Sequence, residues 1–126
     1  MYSPGEFHKD VPRDRRRNLL WRRHCIRRAD EDHDYRKALI EACRRDILFY
    51  VNTFVWQHNP KMQGKEHGPF ITWEFQDAGF REILDAIEGG WDLFMEKSRE
   101  MGASWKCLIA FEWLWHFHPN KQFLVV

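Results

Sequence analysis

The last third of the chain constrains the fold most. WDLFMEK (Trp91–Lys97) is short and apolar, follows the pair Gly89–Gly90, and reads as a strand. SREMGA (Ser98–Ala103) is a loop. SWKCLIAFEWLWHF (Ser104–Phe117) has helical length and period, with Leu108, Phe111, Glu112 and Trp115 along one side, and HPN (His118–Asn120) ends it. QFLVV (Gln122–Val126) reads as a second strand of the buried type. Strand, loop, helix, strand is a βαβ unit, and a right-handed crossover makes its strands parallel. Two strands do not make a stable parallel sheet. The expectation is therefore the front part of a longer protein.

Ahead of this unit the chain reads as helical. Pro12 opens a helix to about Arg28, with Leu19, Leu20, Arg23 and Ile26 as its inward stripe, and a second runs from Asp34, as N-cap, to about Phe54. HNPKMQGKEHG (His58–Gly68) is the clearest loop, and a third helix spans about Trp73 to Ile87 before Gly89 and Gly90 stop it. The expected organisation is a helical, partly basic region over 1–68 and the start of an α/β domain over 69–126. With 44% hydrophobic and 31% charged residues, the chain lies outside the regime of full disorder. No run approaches the ~20 apolar residues of a membrane span, and MYSPGEFHKD is not a signal peptide. Cys25, Cys43 and Cys107 are odd in number and widely spaced, which points to free thiols in a reducing compartment. His24, Cys25, His33 and Cys43 do not match a zinc spacing.

Net charge is only +1, but Lys9, Arg13, Arg15, Arg16, Arg17, Arg22, Arg23, Arg27 and Arg28 form a basic arm just ahead of the acidic ADEDHD (Ala29–Asp34). Two readings stand: a solvated helix whose arginines pair with those acids, or an arm for nucleic acid or a partner. Trp21 is the base-stacking ring within the arm.

A bound phosphate needs backbone N–H groups converging at a helix N-terminus, a glycine for close approach, a cation, and a hydroxyl for magnesium. The usual pattern is GxxxxGK[ST]. The window KSREMGAS (Lys97–Ser104) keeps Gly102 and Ser104, has Ala103 at the usual lysine position, and offers Lys97 and Arg99 as displaced cations. Lys106, further into the helix, is expected to face solvent or the sheet flank.

EKSREMGASW (Glu96–Trp105) resembles the deviant Walker A motif of tailed-bacteriophage terminase large subunits, the ATPases that drive DNA into the procapsid. RDILFYVNTFVWQHNPK (Arg45–Lys61) resembles the helix and loop ahead of that family's ATPase core. WEFQDAGFREIL (Trp73–Leu84) resembles its adenine-recognition segment. The resemblance covers about Arg45 to Val126 and implies an α/β fold: a helical N-terminal region, then the first βαβ unit of a P-loop NTPase, truncated.

It also implies the site. Gln76 would read the adenine edge, with Phe75 or Trp73 packed nearby. Lys97 and Arg99 would hold the phosphates, the backbone of Glu100, Met101, Gly102, Ala103 and Ser104 would cradle them, Ser98 would belong to the same ATP-binding loop, and the Ser104 hydroxyl would ligate magnesium. The cofactors are then ATP and Mg2+. The partners are double-stranded DNA, a small terminase subunit and the portal, in an oligomeric motor in the cytoplasm of the infected host. The family's apolar strand ending in Asp–Glu is missing from the sequence, as is its nuclease domain, so this fragment is not expected to hydrolyse ATP efficiently. The alternatives are a non-enzymatic interaction module for nucleic acid or protein, and a piece of another P-loop motor such as a helicase.

Overall fold

A computed structural model describes residues 5–58, 64, 67–95, 103–118 and 122–124, the side chains of 103 and 104 excepted. These residues form a mixed α/β structure that is mostly helical, in two compact units divided between Thr72 and Trp73.

In the N-terminal unit a 3-10 turn (Phe7–Asp10) precedes α1 (Arg15–Glu31), α2 (His33–Arg45) and α3 (Ile47–Phe54). Strands β1 (Trp56–His58) and β2 (His67–Pro69) then pair antiparallel, Trp56 opposite Pro69 and His58 opposite His67. Each α-helix starts on an aspartate. Asp14 accepts from the Arg17 N–H, Asp32 from Asp34 and Tyr35, and Asp46 from Leu48 and Phe49, so orphan donors of each first turn are satisfied.

The single helix expected over Asp34–Phe54 is thus two. Apolar periodicity runs through Asp46, but that residue is extended (φ −138°, ψ 102°) and fully buried. One carboxylate oxygen caps α3. The other accepts from the His8 backbone N–H at 2.9 Å and lies 2.7 Å from its ring Nδ1, which fastens the 3-10 turn to the α2–α3 junction.

The inward face of α1 also differs from expectation. Leu20 and Ile26 are exposed, and Asn18, Arg22 and Cys25 are buried. The polar members are buried because each has a full set of partners. Arg22 donates from Nε to Asn18 Oδ1 at 2.6 Å, and from its terminal nitrogens to the carbonyls of Val55 (2.6 Å), Phe70 (3.0 Å) and Val51 (3.3 Å). Its guanidinium stands 5.0 Å from the Trp56 ring centroid. Burial pushes its pKa down to about 10, which leaves it cationic at neutral pH. Asn18 Nδ2 donates to the carbonyls of Pro12 and Asn52, and the Asn52 side chain in turn bonds Leu48, Thr72 Oγ1 and the Thr72 N–H. Around this polar spine pack Leu39, Ala42, Cys43, Ile47, Leu48 and Val51.

In the C-terminal unit α4 (Glu74–Gly89) buries Phe80, Ile83, Leu84 and Ala86 and ends at Gly90, whose φ of 73° is the left-handed value a helix stop favours. Helix α5 (Ala103–Phe117) buries Ile109, Ala110, Trp113 and Leu114. The strands expected at Trp91–Lys97 and Gln122–Val126 are not formed over residues 91–95 and 122–124. A strand exists only where a neighbour completes its hydrogen-bond ladder. Among the described residues the single ladder is β1–β2, so the βαβ unit is not seen there. The outer ends of both expected strands lie outside the described residues.

Two outcomes are expected. Asp46→Ala lowers stability to urea by on the order of 3 kcal/mol, because a cap and a buried partner of His8 are lost together. Asp32→Ala, an exposed cap, costs only about 1 kcal/mol, and equal costs would contradict the role given to Asp46. Burial pushes the Cys43 thiol up to about 12 and raises that of Cys25 as well. Both therefore stay protonated at pH 8 and should resist a thiol reagent until the protein is denatured.

Candidate functional site

The expected phosphate loop, Lys97, Ser98, Arg99, Glu100, Met101 and Gly102, lies outside the described residues. Ala103 opens α5, and Ser104 follows it in the first turn. Gln76 is the third residue of α4 and half-buried. Its Oε1 accepts from the Trp73 backbone N–H at 3.0 Å, which is one arm of a capping box. The amide NH2 carries the donors that remain for a ligand. Trp73 and Phe75 meet edge to face, centroids 5.4 Å apart, and both stay exposed.

Lys106 corrects the sequence reading. It is 5% exposed and does not face solvent. Its ammonium lies 5.8 Å from the Phe75 ring centroid and over Gly79, where a Cβ would come within 2.6 Å of Nζ. Glycine at 79 is what lets the lysine cross. Because Phe75 and Gly79 belong to the first two turns of α4, and Lys106 to the first turns of α5, the opening ends of the two helices lie together. A helix N-terminus carries partial positive charge, and Lys106 adds a full one. The same first turn of α4 also carries two carboxylates, the exposed Glu74 and the buried Asp77, so positive and negative charge meet there.

The N-terminal unit holds a second candidate. The arm is a solvated helix as the first reading has it, but among the described residues no ion pair joins its arginines to an acid of the ADEDHD patch. Asp32 serves as a cap, Arg28 stacks on Tyr35 at 4.3 Å, and Arg13 donates to Thr72. Arg16, Arg17, Arg23 and Arg27 are exposed on α1. Beside Arg23 and Arg27 runs a groove of about 470 Å³ lined also by Leu19, Arg22, Ile26 and Trp56. Trp21, the ring the sequence favours for stacking, is engaged in the fold: its Nε1 donates to Thr53 Oγ1 at 3.1 Å and its edge meets Phe49. Trp56, half-exposed, is the ring that reaches the groove. Sequence reading misses it because it comes from β1, far along the chain from the arm.

The Lys106 crossing makes a distinctive prediction. By helix propensity alone Gly79→Ala should stabilise α4 by up to about 1 kcal/mol. Here it should lower the melting temperature, because its Cβ takes the place of the ammonium. Adding Lys106→Ala should relieve the loss, as a thermal double-mutant cycle would show. A simple gain in Tm from Gly79→Ala would disprove the packing.

Comparison with known proteins finds no matching family model, no matching curated protein and no matching solved structure.

Proposed function

We propose that the chain is the ATP-binding portion of a viral DNA-packaging motor of the terminase large subunit type. In the whole protein, ATP hydrolysis would drive double-stranded DNA into a procapsid. One observation carries this reading: EKSREMGASW, preceded in order by RDILFYVNTFVWQHNPK and WEFQDAGFREIL. Two structural facts support it. Helix α5 spans Ala103–Phe117 and so includes Ser104. Gln76 sits in the first turn of α4, the end that Lys106 ties to the first turns of α5, so an adenine reader and a phosphate loop would approach one ligand from one end.

On this reading the segment from Trp91 to Val126 completes a βαβ unit in the intact domain. Lys97 and Arg99 hold the phosphates, the backbone of residues 100–104 cradles them, and Ser104 ligates Mg2+. The site residues present fit ATP and magnesium in kind: two cations, a glycine and a helix-start hydroxyl. A small terminase subunit, the portal and DNA would be the partners, in the host cytoplasm. No helix among the described residues is long and apolar enough to cross a membrane.

Titration with a fluorescent ATP analogue and magnesium tests the proposal. The Lys97→Ala, Arg99→Ala double variant should bind at least about tenfold more weakly, since a charge-assisted phosphate contact is worth on the order of 1.5–3 kcal/mol. Lys37→Ala, exposed on α2, should bind as wild type. Ser104→Ala should lose the magnesium dependence. A folded wild type that binds no nucleotide would defeat the reading.

A further inference from the structure

We infer that the groove between α1 and Trp56 binds single-stranded nucleic acid, independently of the nucleotide loop. Three observations converge. The first is charge. Arg16, Arg23 and Arg27 are exposed and stand in a row on α1, at i, i+7 and i+11, with no ion pair among the described residues. At ~1.5 Å rise per residue the row extends for about 16 Å. Asp30 and Glu31 line the far end of the groove, so the anion-attracting track runs from Arg27 towards Arg16 and not beyond.

The second observation is the aromatic platform. Trp56 is 52% exposed on a short strand and lines the groove, and its ring is held by the buried Arg22 cation at 5.0 Å. A tryptophan with a cation already against its ring loses little freedom on binding, and every base has a π-face to lay on the exposed part of it. The third is the floor. Leu19 and Ile26 add apolar surface to the same groove, which suits a base or a sugar and not a phosphate. Phosphates along a cationic row with bases turned onto a ring is how a single strand is gripped. A duplex keeps its bases stacked inside and would leave Trp56 and the floor unused. An acidic peptide would answer the arginines without using the aromatic face.

Fluorescence anisotropy of the 126-residue chain with a labelled oligo(dT) tests this against a duplex of equal length. The single strand should bind more tightly, and its log K should fall with log salt at a slope of about −1.5 to −2 for two or three phosphates. Arg23→Ala with Arg27→Ala should weaken binding at least tenfold and reduce the slope by about 1.4. Trp56→Ala should weaken it about five- to hundredfold with the slope unchanged. Trp56→Phe, which keeps a ring against Arg22, should recover most of the affinity and shows that the loss is not unfolding. Equal or tighter duplex binding, indifference to Trp56→Phe and Trp56→Ala alike, displacement by oligoglutamate at equal charge, or no binding by the folded wild type would each overturn the inference. The site lies in the unit without the nucleotide loop, so its failure leaves ATP binding untouched.

Discussion

The N-terminal unit depends on a buried cation that has no carboxylate beside it among the described residues. The Arg22 guanidinium is solvated by the ends of other elements: carbonyls at the close of α3, the carbonyl after β2, and an asparagine one turn back on its own helix. Helix C-termini present carbonyls that nothing within the helix satisfies, and their partial negative charge favours a cation. One side chain therefore solves two problems at once. It fills the remaining lone pairs of the Val51 and Val55 carbonyls, which already accept from the Val55 and Phe70 N–H groups, and those same carbonyls replace the water that the guanidinium has given up. The positions of α1, α3 and the hairpin mouth are set by a planar fork whose donors point in fixed directions, which an aliphatic contact of the same area would not do.

This explains what the sequence made legible and what it hid. Helix α4 and helix α5 stand out because their apolar spacing and the Gly90 stop agree, and observed spans of Glu74–Gly89 and Ala103–Phe117 lie close to the spacing. The break at Asp46 is hidden because apolar residues continue on both sides at helical spacing. What interrupts the helix is a carboxylate bonding to a residue 38 positions earlier, and periodicity carries no trace of that. Arg22 is hidden for a similar reason. A charged residue in a basic run defaults to solvent, and only the carbonyls gathered around it make the interior acceptable. For the candidate nucleotide site, the helix that holds Ser104 and the place of Gln76 near a helix start were legible. The inward turn of Lys106 was not, since it relies on the missing side chain at Gly79 across the helix pair.

The acids of the N-terminal unit show the same economy of role. Asp14, Asp32 and Asp46 each spend their oxygens on backbone N–H groups. A carboxylate committed to a helix start holds a fixed direction, and its reach towards a neighbouring arginine is small. The near-zero net charge of the chain thus conceals an uneven surface: three carboxylates are tied to helix starts and Glu41 to Arg44 and Arg45, while Arg16, Arg17, Arg23 and Arg27 of α1 are exposed. The field along that helix is a property of which residues are caps as much as of which are basic.

The shared carboxylate of Asp46 has a consequence for the order in which this unit assembles. Each of its oxygens serves a different partner, one local and one distant. The local bonds to Leu48 and Phe49 close within a single turn and can form as soon as α3 does. The bonds to His8 require closing a long stretch of chain, and that entropy is lost before the contact returns anything. The first residues are therefore a late passenger: they dock on a junction that the helices have already built, and on the way back to the unfolded state they are the first to leave.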